Sequence, residues 1–214
     1  MKGYVGYICD TETTGMDSEV HEIIEISLSR IVLDNSSSYK EDDQKTWLLK
    51  ATKPQSISDE ALSINGHKKE DILCHSKYGK ENYKNPVDVI NEIELWMMDD
   101  NVSSMDRVFI GQNPMFDLGF LKKLWSKYKN DFPFSIENGN RIIDTKQIIV
   151  LYDLCTGKRR QYYGLGQLVK SCGIKKDKAH TADGDVRMTR DLVLYLINMI
   201  KPIVSSNFIN CYNE

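Results

Sequence analysis

Hydrophobic and polar positions change rhythm partway along this chain. Residues 4–10 (YVGYICD) are apolar on both faces until Asp10, as in a central strand, and IIEISLSRIVL at 23–33 alternates apolar with polar positions, as in a neighbouring strand. KTWLLK at 45–50 completes a three-stranded meander. The polar stretch DNSSSYKEDD at 34–43 predicts a flexible connection, and Lys53-Pro54 ends the sheet-like region. From there the period lengthens. SDEALSI at 58–64 predicts a short capped helix stopped by Asn65-Gly66, and PVDVINEIELWMM at 86–98 an amphipathic helix with Pro86 in its first turn. RVFIG (107–111) then reads as a strand, NPMFDLGFLKKLWSKY (113–128) as a helix and RIIDT (141–145) as a strand. LGQLVKSC and HTADGDVRMTRDLVLYLINMI read as helices, the last ending at Pro202. A meander followed by alternating strands and helices predicts an α/β fold. It has a mixed five-stranded sheet, made of a three-stranded antiparallel meander plus parallel strands, flanked by helices and without internal repeats.

Composition narrows the setting. The 214 residues, 41% of them hydrophobic, suit one packed domain, here residues 1–202 with a tail at 203–214. A net charge of −3 excludes global basicity, so binding to a polyanion has to come from a local patch or from metal ions. The five cysteines (Cys9, Cys74, Cys155, Cys172, Cys211) are odd in number and contain no CxxC pair, which argues against both a disulfide framework and a zinc motif. A reducing, cytoplasmic setting follows as the expectation. The start MKGYVGYICD turns acidic too soon for a secretory leader, and no apolar run nears the roughly 18 residues of a membrane span.

The chemistry gathers where apolar stripes meet acids. Asp10 and Glu12 lie two apart, so on a continuing strand they share a face at its carboxyl end, where sheets of this kind place their sites. Asn113 as N-cap and Pro114 as first helical residue put Asp117 in a first helical turn. Asp117 then shares a face with Phe120, Leu121, Leu124, Trp125 and Tyr128, where a carboxylate costs several kcal/mol unless partnered. Asp185 likewise heads a stripe of Met188, Thr189, Leu192, Val193, Leu196 and Ile200, whereas Asp191 falls off it and Asp183 reads as a helix-start acid or cap. Four acids pointing inward repel unless counter-charged. Two divalent ions of the Mg²⁺ or Mn²⁺ type balance them, an arrangement suited to phosphodiester cleavage.

DTETTG (10–15), NPMFD (113–117) and HTADGD (180–185) resemble, in order and spacing, the three exonuclease motifs of the DEDD superfamily, in its histidine branch. That branch includes the proofreading epsilon subunit of bacterial DNA polymerase III, ribonuclease T and oligoribonuclease. IIEIS, SDEALSINGH and IIDT resemble its connecting segments, so the resemblance spans most of the chain. It implies a ribonuclease H-like fold and a 3′-5′ exonuclease that releases nucleoside 5′-monophosphates from the 3′ end of single-stranded or frayed DNA, or of RNA. In these roles Asp10, Glu12, Asp117 and Asp185 hold two metal ions, and His180 is the general base, a task that suits an imidazole. Taken alone, His180 reads as a surface histidine before a helix. The resemblance also places Thr13, Thr14, Met16 and Asn113 beside the terminal nucleotide, although Met16 reads equally well as core. A polymerase or a second copy of the chain is a partner by family analogy only, and a binding or scaffold subunit is the reading from another class.

Between Gly157 and His180 stand seven basic residues, among them Arg159 and Arg160, against the single acid Asp177. KRRQYYG adds aromatics, so this stretch is expected to meet the phosphate backbone. Gln112 and Pro114 depart from the residues relatives often carry, histidine and alanine. His21, His67 and His75 match no constellation and read as surface or turn residues.

Overall fold

The computed structural model describes residues 4–33, 39–73, 82–135, 141–177 and 180–207. Its sheet is built from β1 (Val5–Thr13), β2 (Ile23–Leu33), β3 (Tyr39–Leu49), β4 (Tyr83–Lys84), β5 (Arg107–Gly111) and β6 (Ile142–Asp144). The strand order is β4-β3-β2-β1-β5-β6, with β1, β2 and β3 antiparallel and β4, β5 and β6 each parallel to its neighbour. Six strands therefore replace the expected five. The extra one, β4, is a two-residue edge pairing with Leu48 and Leu49, too short for periodicity to reveal. The helices are α1 (Asp59–Asn65), α2 (Lys69–Ile72), α3 (Pro86–Met98), α4 (Met115–Tyr128), α5 (Thr145–Thr156), α6 (Leu165–Ser171) and α7 (Ala182–Asn207).

Local chemistry accounts for most boundaries. Ser58 caps α1 by accepting from the Ala61 amide, and Gly66 ends it in the left-handed region at φ 77°. Pro86 opens α3, where its missing N–H costs nothing. Asp144 caps α5 through the Lys146 amide and Gly157 closes it at φ 68°, signals that announce a helix the apolar pattern alone does not. Three expectations are corrected. Residues 39–43 belong to β3 rather than to a loop, because they continue the ladder with β2 across a register shift at Arg30/Ile31. Asn113 is not the cap of α4: it sits at φ 60° with its amide on Asp144, and the residue in the cap position is Pro114. The last helix runs past Pro202, its expected end, to Asn207. Part of the KYGKENYKN stretch, His75, Lys178, Cys74 and Cys211 lie outside the described residues.

β1 divides the core by its alternation. Val5, Tyr7 and Cys9 face α3 and α4 with Ile90, Ile93, Trp96, Leu118, Leu121 and Trp125. On the other face, Ile8 meets Ile31, Val108, Ile110 and the α7 residues Val186 and Val193. Each face thus clamps one helix layer, and β1 is the plane they share. Gly6 lies on the α7 face where a Cβ would come within 2.8 Å of Ile31 and 2.9 Å of Ile110. Gly6→Val is therefore expected to overpack this layer and destabilise the fold by about 1–3 kcal/mol. A lower urea midpoint at unchanged slope is the measurement that checks it.

Candidate active site

Asp10 and Glu12 follow Ile8 on the α7 face of β1, and the first turn of α7 brings Asp185 down beside them. One carboxylate oxygen from each of the three lies within 4.8 Å of the others. Asp117 arrives from the opposite helix layer. It sits in the first turn of α4, is 4% exposed, and accepts a 2.8 Å hydrogen bond from the Thr11 hydroxyl on the α4 face of β1. The two faces of the strand meet at its carboxyl end, where a bulge at Glu12/Thr13 breaks the ladder with β2. There a cleft of about 310 Å³ is lined by Asp10, Glu12, Asp117, Asp185 and His180. All five residues expected to be catalytic are thus brought together. The tightest acid grouping among the described residues is the triad of Asp10, Glu12 and Asp185, with Asp117 in the same cleft.

The acids oppose one another strongly. Burial first, then the charges of Asp117, Asp185, Glu12 and Glu25, push the Asp10 carboxyl well above its ordinary 3.8. Burial, followed by the Glu25 charge, takes Glu12 from 4.5 to about 8. Asp117 rises from 3.8 to about 7 through burial, with the Thr11 bonds pulling it down. Asp185 is raised by burial and eased by the His180 amide, which donates to its Oδ2 at 3.2 Å. None of the four forms an ion pair with lysine or arginine among the described residues. An all-carboxylate, half-buried and uncompensated donor set fits a hard divalent cation, with Asp10, Glu12 and Asp185 as its nearest ligands and Asp117 able to serve a second.

The expected substrate contacts separate into two groups. Met16 is 80% exposed on the cleft lip, which excludes the core reading, and Asn113 also lines the cleft. Thr13 and Thr14 are buried. The Thr13 hydroxyl donates to the Gly15 carbonyl at 2.6 Å, and the Thr14 hydroxyl accepts from the Glu22 amide at 3.0 Å, so both shape the loop. Arg159 and Arg160 do not line the cleft. Arg160 donates to the buried Asp153 at 2.7 Å and also bonds Ser171, which fixes it in the α5–α6 corner. Among the described lysines and arginines of the basic stretch, Lys176 is the one whose charge draws the Asp185 carboxyl down. Asp183 bonds Gln44 and Arg187, and Asp191 pairs with Arg190, so both stay outside the acid group.

Sequence reasoning missed an outer layer. Glu25 is the β2 partner of Glu12, and its buried carboxylate meets His67 Nε2 at 2.9 Å, while His67 Nδ1 lies 2.5 Å from the Tyr83 hydroxyl of β4. His67 is therefore an internal residue, not a surface one. Asn65 donates to the Thr13 carbonyl at 3.1 Å, and its side chain eases the Glu12 carboxyl downward against the effect of burial. Gln112 spans the Tyr163 carbonyl and the Thr145 hydroxyl, a brace between the cleft and α5. The only sequence signal for the Glu25–His67 contact was the likeness of both segments to family connectors, because the partners lie 42 residues apart.

A family model described as Exonuclease, of the RNase T type, matches residues 7–193. Among curated proteins, a DNA polymerase III PolC-type from Staphylococcus haemolyticus (strain JCSC1435) is 21% identical over 204 residues, covering 94% of this chain and 12% of that one. Among solved structures, the zinc-bound form of the E. coli ExoI–ssDNA complex superposes with a TM-score of 0.72 at 16% identity, covering 94% of this chain and 41% of that one. The cell-death related nuclease CRN-4 gives 0.73 at 14% identity, covering 92% and 65%. Exonuclease I from Methylocaldum szegediense gives 0.71 at 20%, covering 93% and 41%. The chain thus spans about an eighth of the curated relative and between 41% and 65% of these structures.

In the metal-free protein the raised carboxyls bind protons more readily in the folded than in the unfolded state. Between their ordinary values, 3.8 for Asp117 and 4.5 for Glu12, and their raised values of about 7 and about 8, folding stability falls as pH rises. Thermal melts in EDTA should accordingly give a lower Tm at pH 8 than at pH 5, and Mg²⁺ or Mn²⁺ should raise the pH 8 value most.

Proposed function

Because the chain belongs to the RNase T-type exonuclease family, we propose that it is a metal-dependent 3′-5′ exonuclease, a phosphodiester hydrolase that releases nucleoside 5′-monophosphates from single-stranded or frayed DNA. The observation that carries this reading is the convergence of Asp10, Glu12, Asp117 and Asp185 in one cleft with His180 on its wall. Two divalent ions, Mg²⁺ or Mn²⁺, would supply activation of the attacking water and neutralisation of charge on the phosphate. The chain's own residues do the rest. Asp10, Glu12 and Asp185 would hold one ion and Asp117 would help hold the second, with Thr11 fixing the Asp117 carboxylate by its hydroxyl bond. His180, tethered to Asp185 through its amide, takes the proton of the attacking water. Met16 and Ile64, exposed apolar side chains on the lip, give the terminal base a surface to rest against, and Asn113 lines the same cleft.

DNA is placed first because similar structures are named as single-stranded DNA complexes. RNA is the alternative, since discrimination rests on 2′-hydroxyl contacts. A polymerase partner is suggested by the PolC-type relative.

The test uses matched 5′-labelled DNA and RNA oligonucleotides with Mg²⁺, Mn²⁺ or EDTA. Ladders shortening from the 3′ end, absent in EDTA and in Asp10→Asn or Asp185→Asn, are the expected result, with His180→Ala slower by about 10²–10⁴-fold. Undiminished cleavage by Asp10→Asn would overturn the assignment, and the faster substrate decides between DNA and RNA.

A further inference from the structure

Behind the loop that forms the cleft wall lies a second concavity with a different chemistry. It is a slot of about 220 Å³ bounded by the β1–β2 loop, the segment after β3 and the outer half of α4. Its floor is apolar, with Ile23 and Phe120 buried beneath it and Leu124 at its side. Its rim carries Lys50, Lys53, Lys123 and Lys127, in a chain whose net charge is −3.

The acids nearby cancel only part of this charge. Glu22 is the carboxylate lining the slot, and both its oxygens are committed: Oε1 accepts from the Thr52 hydroxyl at 2.5 Å, and Oε2 from the Thr52 and Lys53 amides at 2.7 and 2.8 Å. Lys127 shares it at 3.6 Å, and Lys123 pairs with Glu19 in a solvent-exposed contact of little strength. Lys50 and Lys53 have no carboxylate partner among the described residues. An apolar floor beside ammonium groups without a carboxylate partner among the described residues fits a ligand with an apolar ring at one end and a phosphate at the other. At about 220 Å³, below the roughly 300–1,000 Å³ of a site that engulfs a drug-sized ligand, the slot takes the ring, while sugar and phosphate lie along its lysine rim.

We propose that this slot binds a 5′-mononucleotide, with its base over Phe120 and Leu124 and its phosphate between Lys50 and Lys53, and so returns the reaction product to a regulatory site. The identity of the ligand as product rests on the exonuclease reading; the slot's preference for a ring-bearing phosphate does not.

The slot and the cleft share a wall. His21 lines the slot, and its ring packs so closely on Gly15 of the cleft that a Cβ there would fall 2.4 Å from ring atoms. His21 Nδ1 lies 2.5 Å from the Ser56 carbonyl, which holds the ring in place. A ligand pressing on this ring acts on the Thr13–Met16 loop, so occupancy of the slot couples to turnover in the cleft.

The closing experiment titrates the full chain with dAMP and AMP in EDTA, by calorimetry and by NMR of the histidine rings, and repeats both with Lys50→Glu/Lys53→Glu. Saturable binding that shifts the His21 ring signals and weakens about tenfold or more in the double variant is expected. In Mg²⁺, the double variant should cleave oligonucleotides at the native rate when product is scarce but lose inhibition by added dAMP. No binding by the native chain, or binding undiminished in the double variant, would overturn the proposal, the latter placing the nucleotide in the cleft. Retention of longer oligonucleotides but not of mononucleotides would overturn it in favour of a strand-tracking groove. Because binding is read without metal, a chain that binds dAMP here but cleaves nothing would refute the exonuclease reading and leave the slot standing.

Discussion

Mutual repulsion among carboxylates is the constraint around which this molecule is arranged. Asp10, Glu12 and Asp185 are pressed together and Asp117 is buried beside them, with no basic side chain paired to any of the four among the described residues. Such a group persists only because both helix layers are anchored elsewhere, in the apolar contacts each makes with β1. The fold supplies the energy and the site consumes part of it, as expected where function demands a locally unfavourable arrangement.

The outer contacts refine that arrangement. Glu25 adds a fifth negative charge behind Glu12, yet it is held by His67 and, through His67, by Tyr83 on the sheet edge. The two-residue β4 thus matters less as a strand than as the support of a hydroxyl. Likewise the loop after β1 is fixed from within, by the hydroxyls of Thr13 and Thr14, by Asn65 and by the His21 ring against Gly15. Its apolar tip, Met16, is thereby presented rather than left loose.

Where periodicity and cap chemistry agree, the sequence was legible: β2, α3 and β5 lie where their patterns put them, and the stripe headed by Asp117 does face inward. Joint spacing of three motifs made the acids and His180 readable as one cleft. What escaped was non-local. Arg160 looks like a phosphate ligand until Asp153, on the preceding helix, is seen to claim it, and His67 looks like a turn residue until Glu25 reaches it from β2. Residues 39–43 carry too many charges to read as strand, although β2 pairs with them. Helix α5 shows exposed Leu151 and Leu154, which blur its stripe, and only its two end signals mark it.

Alternation along β1 has one more effect. Asp10 and Glu12 face the α7 layer, whereas Thr11, and through it Asp117, belongs to the α4 layer. The spacing between the two parts of the acid group is therefore a vernier reading of how the layers sit across a single strand. Close-packed interiors transmit small displacements, so a methyl group gained or lost deep in either core, remote from any ligand, retunes the site while leaving every residue of the acid group unchanged. Such a scaffold can drift in the spacing of its carboxylates through its hydrophobic positions alone.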